Sequence, residues 1–499
     1  MTTPNGFLDL VDDRRRRVNK RLSPTTRTQL GQFMTPADAA SVLAECIDVE
    51  RDELHLLDPG AGIGSLTAAV VARVLDSEAR PKVVSLTAYE VDSTMCEGLA
   101  ETLRECELAL ATVGVAASTH LIQDDFVDAV VGGREHRTFT AAILNPPFMK
   151  ISARGELAQR LRDRDWSPAN LYTAFWCAAV DRVDPGGDVV AITPRSFCNG
   201  SYFAGFRRFL LSESALRCIH VFDARDKAFS EDGVLQETVV THSVKGGEPS
   251  LIRLALSHQP GSVALRRTVS VGDVVHAEDR NAFIRLPVDE AGEAVREWMS
   301  RLHHSLPDLG LTVSTGPVVD FRAREHLRSD FAPGLVPLFY PTHMADGSLN
   351  WPKHGGRKPN AFAPRGAERL LTPDGHYTIV KRFSAKEERR RVVASYYDGT
   401  LGQPAEGGAV RRTFALENHL NYFHQKGQPL SDWLARGLTM FLNSTMVDTY
   451  FREFNGHTQV NAGDLRSLRY PSPEQLKILG KAWERGLSQI EIDAAVESI

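Results

Sequence analysis

Apolar and polar positions in the first half of the chain alternate between short apolar runs and stretches with a helical stripe. Leu54-His55-Leu56-Leu57 leads through Asp58-Pro59 into a glycine turn and then a helix. Val83-Val84-Ser85-Leu86-Thr87-Ala88-Tyr89 reads as a second strand that ends in Glu90, and His120-Leu121-Ile122 as a third that runs into Asp124-Asp125. Thr140-Ala141-Ala142-Ile143-Leu144 is a fourth apolar run, stopped by Asn145-Pro146-Pro147, and Val189-Val190-Ala191-Ile192 a fifth. Runs of this length between turn residues read as buried parallel strands, so an α/β architecture is expected. Ala39, Val42, Leu43 and Cys46 give one buried stripe to a helix that Thr35 is placed to cap, with Pro36, Ala37 and Asp38 in its first turn.

Beyond about residue 305 the pattern changes. Residues 318–327 and 337–341 mix strand-like positions with charge, and 350–375 are rich in Pro and Gly. Residues 434–451 read as one apolar helix followed by a polar loop, 455–466. The expected division is a first domain over residues 1–305, with an N-terminal arm at 1–28, and a mixed α+β second domain over 306–499.

The strand ends carry the chemistry. Two prolines cannot continue a central strand, so the chain turns at Pro146-Pro147, on the sheet edge where open α/β sheets bind ligands. There the Asn145 side-chain oxygen can accept one N–H of an exocyclic amine and the Pro146 carbonyl the other. Two acceptors draw the amine nitrogen towards a pyramid and free its lone pair for attack on a methyl group. Phe148 offers a face on which a flat base can stack. The turn Gly60-Ala61-Gly62-Ile63-Gly64 has the spacing G-x-G-x-G, not that of the dinucleotide enzymes. Glu90, at the second strand end, can accept both hydroxyls of a ribose, or simply cap the next helix.

Asn145-Pro146-Pro147-Phe148 resembles the (Asp/Asn/Ser)-Pro-Pro-(Tyr/Phe/Trp) motif of amino-group DNA methyltransferases. Gly31-Gln32-Phe33-Met34-Thr35-Pro36 resembles the segment that precedes the cofactor loop in their gamma class. The order of the parts, with a long basic remainder last, is that of gamma-class adenine-N6 enzymes. Total length and layout look like the type II modification methylases of the PstI, BsuBI and PaeR7I kind. The resemblance spans roughly residues 27–245. It implies a Rossmann-like, S-adenosylmethionine-dependent catalytic domain followed by a DNA target-recognition domain. It implies that Gln32, Phe33 and Thr35 hold the methionine end of the cofactor, that Asp58 lies near its ammonium group beside Gly60 and Gly62, and that Glu90 takes the ribose. Asp125 then accepts from the cofactor's adenine, with Asp124 equally placed, and Phe126 flanks the ring. Phe175 either touches cofactor or packs in the core. Phe229 either covers the other face of the target base or packs in the core. Asn145, Pro146, Pro147 and Phe148 form the catalytic set.

Charge refines this picture. The chain of 499 residues carries a net charge of −5, but residues 320–470 hold 21 Lys and Arg against 15 Asp and Glu, which leaves −11 for the rest. A basic second half suits a grip on nucleic acid. Lys381, Arg382, Arg389 and Arg390, interleaved with Phe383, Tyr396 and Tyr397, and His457 with Gln459 in the following loop, are the expected DNA contacts. The run Asp13-Arg14-Arg15-Arg16-Arg17 is expected as a solvated face or a phosphate contact. The six cysteines show no CxxC spacing and read as reduced thiols of a cytoplasmic protein; no metal and no membrane span are expected. The expected partners are double-stranded DNA and a separately encoded restriction endonuclease. RNA or protein-glutamine methylation, or dependence on a separate specificity chain, stand as alternatives.

Overall fold

Nine strands form the principal sheet: β1 (Glu53–Pro59), β2 (Val83–Tyr89), β3 (Ala116–Ile122), β4 (Phe139–Leu144), β5 (Val183–Pro194), β6 (Ser214–Phe222), β7 (Thr238–Lys245), β8 (Ile252–Ser257) and β9 (Leu265–Val269). A computed structural model supplies this architecture and describes residues 4–21, 34–149, 151, 155–162, 164, 166–222, 238–257, 265–277, 279–287, 291–384, 388–400, 413–455 and 459–499. Gln32, Phe33, Phe229 and His457 lie outside those residues. The strand order is β3-β2-β1-β4-β5-β7-β6-β8-β9. The first five strands pair in parallel, and β7 runs antiparallel between β5 and β6. The order reverses between β1 and β4, so a crevice opens at their carboxyl ends.

Both faces of the sheet are covered, which is why its strands read as unbroken apolar runs. Alternate residues of β4 divide accordingly: Ala141 and Ile143 enter one core, Ala142 and Leu144 the other. The first core is closed by α1 (Pro4–Arg21), α2 (Ala37–Ala44), α3 (Ser65–Asp76) and α4 (Ser93–Thr112), through residues such as Phe7, Leu43, Val70 and Leu99. The second is closed by α5 (Phe126–Val131), α6 (Glu156–Arg162), α7 (Leu171–Arg182) and α8 (Ala204–Glu213), through Phe126, Leu161, Trp176 and Phe206. A short helix, α9 (Val271–Val274), follows β9.

Two sequence expectations change here. The arginine run at 14–17 is not a solvated or phosphate-binding arm throughout. Arg14 is buried and donates to Glu101 and, through two nitrogens, to Glu105, while Arg15, 1% exposed, pairs with Asp12. The helix packs against α3 and α4, so two of the four arginines serve as internal ties. Thr35 does not cap α2: the position before the helix is Pro36, and the Ala37 N–H is met by Asp12 Oδ1 at 3.3 Å. The Thr35 hydroxyl is thereby released for another partner.

Contacts divide the chain into Met1–Val288 and Asp289–Ile499, against an expected division at 305/306. Helix α10 (Ala291–Ser300) falls in the second unit because it packs on α12 (Thr445–Phe454), where Arg296 pairs with Glu453 at 2.5 Å. Among the described residues the second unit holds two sheets. The six-stranded one has the order β10-β20-β17-β18-β14-β13, from β10 (Thr312–Thr315), β13 (Met344–Ala345), β14 (Ser348–Leu349), β17 (Tyr377–Lys381), β18 (Ala394–Tyr397) and β20 (Leu420–His424). The five-stranded one has the order β11-β15-β12-β19-β16, from β11 (Leu327–Arg328), β12 (Val336–Phe339), β15 (Ala361–Phe362), β16 (Leu371–Pro373) and β19 (Thr413–Leu416). The single helix expected over 434–451 is two, α11 (Asp432–Leu442) and α12. Asn443 breaks them by pairing its carboxamide with both the N–H and the C=O of Ala394, and Ser444 then caps α12. Helices α13 (Ala462–Ser467), α14 (Pro473–Ala482) and α15 (Gln489–Glu497) complete the unit. No helix among the described residues is long and apolar enough to cross a membrane.

Candidate active site

At the carboxyl ends of β1, β2 and β4 lies a cavity of about 220 Å³. Its floor is the glycine turn. Gly60, Gly62 and Gly64 all have positive φ (73°, 58° and 86°), a conformation that costs an L-residue about 1–2 kcal/mol. A Cβ on Gly60 would point at the Phe175 ring and one on Gly62 at Met34, and both of those residues line the cavity, so side chains at these positions would fill it.

Each strand end adds one wall. From β2 comes Glu90, buried, whose carboxylate accepts from the N–H groups of Gly62, Val91 and Asp92 at 2.8–2.9 Å. Burial raises its pKa above the usual range even so. From β3 come Asp124 and Asp125, which the structure separates. Asp124 pairs with Arg134 at 2.8 Å on the outside, whereas Asp125 caps α5 through the Asp128 N–H at 2.7 Å and is half-buried, its pKa raised mainly by that burial. Phe126 and Phe175 reach the cavity from the second core, with ring centroids 6.2 Å apart. Glu90, Asp124 and Asp125 supply its acidic groups, and among the described residues none that lines it is Lys, Arg or His.

From β4 comes Asn145. Its Nδ2 donates to Thr35 Oγ1 at 2.8 Å, joining segments 110 residues apart in sequence. Thr35 and Asn145 both line the cavity, and this contact is what the released Thr35 hydroxyl makes. The turn after Asn145 is fixed from outside: the Met149 N–H meets the Pro147 carbonyl at 3.0 Å, and the Met149 carbonyl accepts from Leu171 N–H at 2.9 Å, at the start of α7. Asn170 and Thr173 close that helix end with a capping box.

Not every expected residue stands on the wall. Asp58 is absent from it: 1% exposed, it lies under the turn, where Oδ2 accepts from Thr67 Oγ1 at 2.7 Å, and Oδ1 is buried without a partner among the described residues. Desolvation lifts its pKa to about 7. Pro146 is buried behind the wall, while Pro147 lines it. Phe148 is half-buried beside the second core, its ring meeting Tyr172 edge-on at 6.1 Å, and is not among the cavity residues.

Residues that sequence reasoning missed include Met34, Tyr89, Met95, Met149 and Leu171. Met34 and Tyr89 had a signal, since each adjoins a residue already singled out. Tyr89 is held rigidly: its hydroxyl donates to the buried carboxylate of Glu135, and its ring meets Phe126 edge-on at 5.2 Å. Glu135 bears no motif and was not legible.

In the second unit, Lys381 is paired with Glu388 at 2.7 Å, and Arg390 is drawn onto the Asn443 carbonyl, burial lowering its pKa. Arg389 is exposed. Tyr396 and Tyr397 are buried, their hydroxyls on Asp432 and Asp374, so these aromatics of the basic stretch pack internally and do not face a ligand. Arg382 and Gln459 are brought together, the guanidinium Nη2 donating to Gln459 Oε1 at 3.3 Å.

Residues 96–229 match the family described as Eco57I restriction-modification methylase. The chain is 39% identical over 495 residues to the Type II methyltransferase M.PstI of Providencia stuartii, covering 98% of this chain and 96% of that protein. It is 39% identical over 511 residues to the Type II methyltransferase M.BsuBI of Bacillus subtilis, covering 99% and 98%. Among solved structures, the type IIL restriction-modification enzyme MmeI, determined in complex with DNA, is similar in fold: the TM-score is 0.56 at 11% identity, over 99% of this chain and 73% of that one.

Proposed function

The chain belongs to the type II methyltransferases of restriction-modification systems, and from that premise we propose that it methylates N6 of adenine within a specific sequence of double-stranded DNA. The observation that carries this reading is Asn145-Pro146-Pro147 at the carboxyl end of β4, with Asn145 and Pro147 on the wall of the cavity floored by Gly60 and Gly62.

The methyl donor is S-adenosylmethionine, and the cavity suits it. A ligand with a sulfonium and an ammonium group calls for acids on the wall, and Glu90, Asp124 and Asp125 supply them. The buried, unpartnered Oδ1 of Asp58 supports an ammonium nearby, and the bare Cα atoms of Gly60 and Gly62 leave room for the chain. Glu90 accepts the ribose hydroxyls, Asp125 the adenine amino group, and Tyr89, Phe126 and Phe175 enclose the ring. When bound, the cofactor supplies an electrophilic methyl group on a positively charged sulfur.

The chain's own residues do the rest. The target adenine leaves the stack. Asn145 Oδ1 and the Pro146 carbonyl accept its two amino hydrogens and aim the nitrogen lone pair at the methyl group. Thr35, as acceptor of the Asn145 N–H, turns the carboxamide so that its oxygen faces the target. Asn145 is a neutral amide and takes no proton, so the N6 proton leaves to water after the C–N bond has formed and the S–C bond has broken. Phe148 stacks on the base. The second unit reads the sequence without a separate specificity chain, and a separately encoded endonuclease cuts the unmodified site. Asn145→Ala tests the mechanism: it should keep cofactor and DNA binding while label transfer from tritiated cofactor slows by roughly a hundredfold or more. Transfer at the wild-type rate would reject it.

A further inference from the structure

The second unit's basic stretch holds one arginine whose surroundings differ from all its neighbours. Lys381, Arg390 and Arg391 are consumed by Glu388, the Asn443 carbonyl and Asn455. Arg382, just past β17, is held instead as a platform. Its Nη1 donates to the Asn418 carbonyl at 3.1 Å and its Nη2 to Gln459 Oε1 at 3.3 Å. The guanidinium lies over the Phe383 ring at 5.7 Å, and that ring rests on His419 at 4.7 Å. The His419 side chain is 43% exposed, so this edge opens to solvent. The backbone is pinned on both sides: Arg382 N–H meets the His419 carbonyl at 2.8 Å, and Val460 N–H meets the Arg382 carbonyl at 2.7 Å.

A guanidinium has five N–H groups. Among the described residues Nε is buried without a partner, and the two bonds above use one hydrogen on each terminal nitrogen. Among the described residues one hydrogen on each of Nη1 and Nη2 remains. Gln459 Oε1 accepts from Arg382 with one of its two lone pairs, and that bond fixes the direction of the fork. The guanidinium itself presents N–H groups and no acceptor.

That inventory selects among base edges. In the major groove guanine presents two acceptors, N7 and O6. Adenine pairs one acceptor with a donor, thymine has one acceptor beside a methyl group, and cytosine has a donor. A rigid, donor-only guanidinium fork satisfies guanine and leaves the adenine and cytosine amino groups unmet. We infer that Arg382, oriented by Gln459 and Phe383, is a specificity-determining residue that reads one guanine of the recognition sequence. The inference rests on the DNA reading above.

The test maps modified adenines by single-molecule sequencing in cells expressing the full chain, as wild type, Arg382→Ala or Arg382→Lys. The expected result is that both variants begin to modify sites in which one particular guanine is replaced. Discrimination at that position should fall roughly tenfold to a hundredfold while the other positions stay unchanged. Lysine keeps the charge but not the fork and should not rescue. In vitro, placing 7-deazaguanine at each guanine of the site in turn should slow the wild-type protein at that same position. Arg382→Ala should be indifferent to the replacement there. A uniform loss at every sequence, restored by lysine, would make Arg382 a phosphate contact and overturn the inference, as would an unchanged recognition sequence in both variants. Modified adenines absent from wild-type cells would instead sink the DNA reading itself. Because the 7-deazaguanine series needs only the wild-type protein, a variant that failed to fold would not shield the inference: no sensitive position would reject it.

Discussion

The cavity of the first unit and the Arg382 platform of the second are chemical opposites. The cavity offers acceptors, the carboxylates of Glu90, Asp124 and Asp125, with no cationic side chain on its wall among the described residues. The platform offers donors, from Arg382 and the Gln459 amide, backed by the aromatic ring of Phe383. They also differ in what holds them. The cavity is shaped by backbone, through three glycines at positive φ and a turn tied to α7, whereas the platform is a stack of side chains. The difference teaches that net charge locates neither site. Lys381, Arg390 and Arg391 of the basic stretch are spent on partners inside the second unit, whereas Glu90 and Asp125 of the first face a void.

Removing the acceptor at the heart of the cavity should have the largest effect. Asn145→Ala is expected to lower single-turnover methyl transfer roughly 10²- to 10³-fold, the cost of losing one aimed hydrogen-bonding group, with cofactor affinity nearly unchanged. An equal fall in affinity would mean the carboxamide serves the cofactor and not the target amine. Arg382→Ala comes next, with its position-specific change confined to the recognition sequence. Third, Arg14→Ala should destabilise the first unit by about 2 kcal/mol, because the arginine is buried although its glutamate partners are partly solvated. Thermal unfolding measures this, and the salt dependence of DNA binding should not move. A flatter salt dependence would return Arg14 to the phosphate-binding role.

The smallest expected effect is a pH dependence. Asp58 is held near 7 against an ordinary 3.8, so it is mainly protonated below neutrality and ionised above. An ammonium ligand favours the ionised form, so cofactor affinity should rise about tenfold between pH 6 and pH 8. In the free protein the sign is reversed. The folded state binds the Asp58 proton more tightly than the unfolded state does, so this group's contribution to stability is lost as pH rises from about 4 through 7. Calorimetric titration of wild type and Asp58→Asn separates the two: the variant should be flat in both. A wild-type affinity that ignored pH would place the ammonium away from Asp58.

Much of the first unit was legible because each strand there is an apolar run closed by a residue that cannot continue it. Asp58-Pro59, Glu90, Asp124 and Asn145-Pro146 all mark true strand ends, and all but Pro59, Asp58 and Pro146 reach the cavity. What failed was local competition. Thr35 has a capping residue's chemistry, yet Pro36 takes the position and Asn145, far along the chain, takes the hydroxyl. In the second unit, many strands have two to five residues, too short to establish a period of two. Tyr396 and Tyr397 look alike exposed in sequence because their partners, Asp432 and Asp374, are distant or unmarked. Asn443 ended a helix through a contact with Ala394 that no local pattern announces.

Helix α1 bears on how the protein can be handled. Phe7, Val11 and Val18 sit in the same core as Ile63 of the glycine turn, and Arg14 Cδ and Ile63 crowd the same bare face of Gly98. A protease that removed the first 21 residues would strip a buttress from beneath the turn, and the trimmed protein would expose apolar surface and aggregate. Attaching an affinity tag or a DNA-targeting partner ahead of α1 keeps that buttress, whereas splicing either one in place of it does not.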